Sequence, residues 1–64
     1  EKMLIVEEII RDLAQKNGCA KLRDIIAKAR ERGIEDKFVE EAITKMRKEG
    51  MIFRPKEECY APTV

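Results

Sequence analysis

Two cysteines, Cys19 and Cys59, are the side chains of this 64-residue sequence best suited to nucleophilic or zinc chemistry. The sequence contains no histidine. A structural zinc site needs four nitrogen or sulfur ligands, so these two cysteines are too few to fill one. A nucleophile activated by a histidine base is likewise excluded, and no glycine-rich phosphate loop is present. We therefore predict that this chain is not an enzyme and holds no metal or cofactor.

The charged residues are numerous but nearly balanced, with 14 basic and 13 acidic side chains and a net charge of +1. This balance gives no general attraction to nucleic acid. A carboxylate pair for acid–base catalysis would need a pocket that shifts one pKa, and these carboxylates are expected on solvated helix faces. The composition is that of a folded domain, and no long apolar run or signal peptide is visible.

Three helices are predicted from apolar residues that recur at intervals of three and four. Helix 1 spans about 2–17 and ends at Asn17-Gly18, helix 2 ends at Gly33, and helix 3 ends at Gly50. The apolar stripes are Val6, Ile9, Ile10 and Leu13; Leu22, Ile25, Ile26 and Ala29; and Val39, Ala42, Ile43 and Met46, with Phe38 beside the last.

A short strand at Cys19-Ala20 and a β-hairpin complete the predicted elements. The hairpin comprises a strand at 51–54, a turn at 55–58 and a returning strand at 59–61 that Pro62 ends. The order of elements predicts an α+β, mainly α, winged helix-turn-helix with a three-helix core and a small wing. We expect the core to contain Ile9, Leu13, Leu22, Ile25, Ile26, Phe38, Ile43 and Met46, closed by Ile52 and Tyr60.

The two cysteines allow two interpretations within this layout. The short strand of a winged helix usually pairs with the returning strand, which would bring Cys19 near Cys59 and permit a disulfide, as intracellular proteins of hyperthermophiles sometimes have. A register shift of one residue would instead point the two side chains to opposite faces. We expect free, partly buried thiols.

The charge distribution along the chain is uneven. Residues 21–33 carry +3, residues 34–50 carry −1 and residues 51–64 carry no net charge. Helix 3 would be the recognition helix, but its first half is acidic and Arg47 is its only arginine, so bidentate reading of bases is poorly supplied. We expect at most weak contact with the DNA backbone, through Lys37, Lys45, Lys48, Arg54 and Lys56. A protein-interaction face is expected to include Arg23, Lys28, Arg30, Glu40 and Glu41.

Four short segments, in this order and spacing, resemble one protein family. They are "CAK" before helix 2, "GIE" between helices 2 and 3, "MRKEGMIF" leading into the hairpin, and "ECY" on the returning strand. Over about residues 3 to 60 the sequence resembles the C-terminal winged-helix domain of archaeal minichromosome maintenance (MCM) replicative helicases.

The resemblance implies that residues 1–64 are the C-terminal fragment of a longer chain, which agrees with a first residue that is not Met. The parent would be a hexameric, ATP-dependent DNA helicase with ATP and Mg²⁺ in an upstream AAA+ domain. The fragment would contact that motor domain and tune its ATPase and helicase activity, and would meet replication initiator or loader proteins. The resemblance further implies an archaeal, cytoplasmic, chromosome-associated protein with no membrane contact. It carries over no DNA-handling residue to this chain.

Three interpretations of the chain stay open. The chain is either such a regulatory module, the DNA-binding winged helix of a small archaeal transcription regulator, or an interaction domain of another assembly. A transcription regulator would be expected to be dimeric, with a basic helix 3 and wing.

We expect the isolated domain to be monomeric. A stable interface buries about 800 Å² on each partner, and one core already uses the apolar stripes of the three helices.

Overall fold

The computed structural model describes residues 1–63, so that Val64, the last residue of the predicted domain, lies outside them. The helices are α1 (Lys2–Asn17), α2 (Leu22–Glu31) and α3 (Asp36–Lys48). The strands are β1 (Ala20–Lys21), β2 (Ile52–Lys56) and β3 (Cys59–Pro62). Three helices with a small sheet behind a helix-turn-helix pair form the predicted winged helix. No helix of the described part is long and apolar enough to cross a membrane.

The ends of α1 and α3 show why the chain turns where it does. Gly18 follows α1 with φ 87°, and its N–H donates to the Ala14 carbonyl at 2.7 Å. Gly50 follows α3 with φ 73°. A Cβ at either glycine would meet open space. Backbone conformation rather than crowding therefore favours glycine at both positions.

The sheet is antiparallel in the order β1-β3-β2, so the returning strand β3 is its centre. β1 pairs with β3 through Ala20 opposite Tyr60 and Lys21 opposite Cys59. This confirms the predicted pairing of the short strand with the returning strand.

The wing departs from its predicted turn. β2 continues through Pro55 to Lys56, and Lys56 pairs with Cys59, which leaves a turn of only Glu57 and Glu58. Pro55 is tolerated inside β2 because this strand is at the sheet edge and its register shifts between Phe53 and Lys56. Glu58 has φ 57°, a left-handed conformation that residues other than glycine adopt mainly in turns.

The core lies between the three helices and the inner face of the sheet, and the buried side chains are apolar throughout the described residues. Leu22, Ile26 and Phe38, which were expected in the core, pack against it and are only partly buried. The stripe of α2 is centred on Ile25 and Ala29, which are fully buried. The buried hydrophobic residues are Val6, Ile9, Ile10, Leu13, Ala20, Ile25, Ala29, Ile34, Val39, Ala42, Ile43, Met46, Ile52, Cys59, Tyr60 and Ala61.

Cys19 and Cys59 form a disulfide across a sequence separation of 40 residues, with their Cα atoms 5.6 Å apart. The expectation of free thiols is therefore wrong. The reason is the register: Ala20 faces Tyr60, so the residues that immediately precede both of them lie on the same face of the sheet. The disulfide ties the segment between α1 and α2 to the central strand.

Shortening one core side chain should remove much of the stability of so small a domain. We predict that Ile43→Ala or Leu13→Ala lowers the free energy of unfolding by ~2–5 kcal/mol, because each deletes buried methyl groups. The matched control is Leu4→Ala, since Leu4 is 59% exposed and surface substitutions usually change stability by less than ~0.5 kcal/mol. Urea denaturation measures all three variants. A loss below ~1 kcal/mol at both core positions would contradict the packing described above.

Candidate functional site

The outward surface of α3 is the place where a winged helix would meet DNA. Glu40, Glu41, Thr44, Lys45 and Lys48 surround one shallow depression of about 470 Å³. All five are exposed. The structure thus brings two of the predicted DNA-contacting lysines together, but beside two carboxylates that repel phosphate. Lys37 is also exposed on α3, outside this depression.

Two polar groups on α3 are already engaged within the domain. The Thr44 hydroxyl donates to the Glu40 carbonyl at 3.0 Å. The Arg47 guanidinium lies 5.9 Å from the centre of the Tyr60 ring, within the range of a cation–π contact. Arginine is the residue type best suited to bidentate reading of guanine. Arg47 is the only arginine of α3, and its side chain lies against the Tyr60 ring of the wing. The sequence could not reveal this contact, because it depends on the position of β3.

One exposed ion pair bridges the helix-turn-helix corner. The Arg30 guanidinium donates from Nε to Asp36 Oδ1 at 2.8 Å and from a terminal nitrogen to Asp36 Oδ2 at 2.6 Å. This fork raises the pKa of Arg30 and lowers the pKa of Asp36, in both cases first through the hydrogen bonds. Ile34, buried between the two helices, anchors the same turn. Arg30 was predicted to face a partner, and its guanidinium is thus engaged by Asp36 of the same domain.

A second cluster of charge lies at the base of the wing. Arg23 of α2 and Lys56 of β2 line one cleft of about 290 Å³. Lys21 lines it as well, a residue that the sequence did not single out. Glu57 and Glu58 lie on the same cleft and offset much of its positive charge. Register explains the grouping, because Lys21 and Lys56 both pair with Cys59, from opposite sides of β3.

The remaining predicted residues lie apart from both clusters. Lys28 lines a cleft of about 250 Å³ between α1 and α2, together with Lys16 and Arg32. Arg54 is exposed on the edge strand β2. Among the residues predicted for a protein-interaction face, Glu40 and Glu41 share one depression, whereas Arg23 and Lys28 line two other clefts. No group of side chains in residues 1–63 has the composition and spacing of a metal site.

Comparisons with known proteins agree on one family. The family model described as "MCM protein C-terminal winged helix-turn-helix domain" matches residues 1–63. The minichromosome maintenance protein MCM of Saccharolobus solfataricus is 47% identical over 60 residues, which cover 94% of this chain. The chain spans about 9% of the length of that relative.

The Arg30–Asp36 fork predicts a specific pH dependence. The Asp36 pKa lies below its ordinary value of 3.8, so the pair contributes stability above that pH and loses it as pH falls through the lower, folded-state pKa. We predict that Arg30→Gln raises the midpoint of Asp36 titration, measured by NMR of the carboxyl carbon. The matched control is Arg32→Gln, which leaves the fork intact. An unchanged midpoint in Arg30→Gln would show that the fork does not form in solution.

Proposed function

Because this chain belongs to the family of MCM protein C-terminal winged helix-turn-helix domains, we propose that it is the regulatory and interaction module of an MCM replicative helicase. It modulates the ATPase and unwinding activity of a motor domain in the same, longer chain. It binds DNA at most weakly and without sequence preference. The proposal follows the family in placing ATP and Mg²⁺ in that AAA+ domain and in assigning the parent a hexameric assembly, and it treats replication initiator or loader proteins as further partners.

The observation that carries this proposal is the chemistry of the α3 face. A helix that reads bases from the major groove needs side chains that form paired hydrogen bonds with base edges, above all arginine, asparagine or glutamine. On α3 the only arginine lies against Tyr60, and the depression on its outer surface has two glutamates on its rim. This supports a winged helix whose geometry is retained while its recognition surface serves another purpose.

The wing supports the same proposal. A wing that grips phosphate should present uncompensated cations at its tip, because affinity for the DNA backbone depends on the phosphates that are neutralised. Here the two-residue turn consists of Glu57 and Glu58, and the adjacent Lys56 is offset by them. The wing therefore adds little attraction for a duplex, and its mixed charges suit contact with a protein surface.

The first test is DNA binding by the isolated chain. We predict a dissociation constant no tighter than ~10⁻⁵ M near physiological salt, and a slope of log K against log salt of about −3, since only three or four phosphates can be neutralised at once. Lys45→Ala should weaken binding to unrelated DNA sequences by the same factor, and so should Lys56→Ala, because phosphate contacts carry no sequence information. Glu40→Lys combined with Glu41→Lys should strengthen it. Fluorescence anisotropy on several duplexes at two salt concentrations measures these effects.

The matched control for these variants is Lys28→Ala, because Lys28 lies on the α1–α2 cleft rather than on α3 or the wing. Lys28→Ala should leave the weak affinity of the chain for DNA unchanged. A nanomolar, sequence-selective dissociation constant would reject the regulatory proposal and favour a transcription regulator instead.

The second test uses the longer parent chain. We predict that deleting this domain changes the rate of ATP hydrolysis or of unwinding more than it changes affinity for DNA, because the domain acts on the motor and not on the duplex. Parallel assays of ATPase rate, unwinding rate and DNA affinity with and without the domain compare the three effects. A large loss of DNA affinity with unchanged catalytic rates would contradict the proposal.

A further inference from the structure

The two cysteines of the disulfide differ in exposure. Cys59 is on the central strand and is only 3% exposed, whereas Cys19 is half-buried, in the link between α1 and β1. Both line the cleft at the base of the wing, which has a volume of about 290 Å³. A reagent of the size of a small thiol therefore has room to approach the disulfide, and Cys19 is the more accessible partner.

Exposure decides which sulfur can be attacked. In thiol–disulfide exchange a thiolate attacks one sulfur and displaces the other, so the rate depends on access to the attacked sulfur. Burial protects the Cys59 sulfur from this attack. We propose that Cys19 is a modification site for low-molecular-weight thiols, at which a mixed disulfide forms while Cys59 is displaced as the leaving thiol.

The exchange requires no oxidant, because the incoming thiols are the reductant and the disulfide is the group reduced. The bond between the incoming sulfur and Cys19 Sγ forms as the bond between the two cysteine sulfurs breaks. The electron pair of the broken bond goes to Cys59 Sγ, which takes a proton from solvent. A second thiol molecule then displaces Cys19 from the mixed disulfide, so that two thiols are oxidised to their disulfide and both cysteines are reduced.

The charges around the cleft indicate which thiol to use. Lys21, Arg23 and Lys56 are opposed by Glu57 and Glu58 on the same cleft. Asp24 also lies 3.8 Å from Arg23. With acids and bases matched, the cleft favours neither anionic nor cationic reagents. A neutral thiol such as 2-mercaptoethanol therefore tests accessibility without a contribution from charge.

Exchange at Cys19 would release a covalent tie while leaving the backbone pairing in place. β1 would still pair with β3 at two positions, and the Leu22 N–H would still donate to the Glu58 carbonyl at 2.8 Å. These few hydrogen bonds, and the packing of Ala20 and Leu22 in and against the core, then hold the start of α2 to the wing. The adduct thus makes the wing base open more readily without requiring the helical core to unfold.

Peptide mapping of the folded, oxidised chain tests the proposal. The chain is exposed briefly to 2-mercaptoethanol, quenched with acid, alkylated with N-ethylmaleimide and cut with trypsin, which places the two cysteines in separate peptides. We expect the mercaptoethanol adduct on the Cys19 peptide and the maleimide on the Cys59 peptide, with a preference of about tenfold or more over the reverse pattern. Equal labelling, the reverse pattern, or no adduct until denaturant is added would each overturn the proposal.

Two single-cysteine variants provide a matched comparison that does not depend on the disulfide. Cys59→Ser leaves the thiol of Cys19, and Cys19→Ser leaves the thiol of Cys59. We expect Ellman's reagent to react at least about tenfold faster with the thiol of Cys19 in the folded state, and equally with both in denaturant. Equal rates in the folded state would overturn the proposed asymmetry. If either variant fails to fold, the mapping of the unsubstituted chain decides alone.

Discussion

The position of β3 between β1 and β2 is the constraint on which the rest of this domain depends. It places Tyr60 opposite Ala20 on the inner face, where both are buried and close the core. It sets Cys59 on the other face, within bonding reach of Cys19. It also brings Lys21 and Lys56 to the same residue from opposite sides, and it presents the Tyr60 ring to Arg47. A different register would alter the core, the disulfide and the charged cleft at the base of the wing at once.

The charged surfaces show how a small domain can retain a DNA-binding geometry without the chemistry of a DNA reader. The helix-turn-helix corner is packed through Ile34 in the core, and the exposed Arg30–Asp36 fork bridges its two helices. Neither feature requires a cation on the outer face of α3. The shape of the motif is therefore independent of the residues that would read bases, and those positions are free to carry glutamates. Near-neutral total charge is thus compatible with a winged helix whose surface is directed to proteins.

Periodicity predicted the helices well, because a 3.6-residue repeat records which face is buried regardless of the partner. Predicted helix 1 coincides with Lys2–Asn17. The features that were missed depend on contacts between distant segments. The disulfide required the register of β1, and the contact of Arg47 with Tyr60 required the position of β3. The Arg30–Asp36 pair spans a turn, so neither helical spacing nor strand alternation indicates it. The sequence pattern predicts a turn at Pro55, because it does not show that β2 is an edge strand.

A consequence for function follows from the composition of the core. Within residues 1–63 the buried residues are all of hydrophobic type, and none of them is charged. Stability therefore comes from apolar packing, backbone hydrogen bonds and one disulfide, and the surface charges contribute little, as is usual for exposed ion pairs. Substituting Glu40 or Lys45 should leave the fold intact. A change in the activity of a longer chain on such a substitution is then attributable to a lost or gained contact at that surface. Because the core does not depend on charge, the charged exterior can change without loss of the fold.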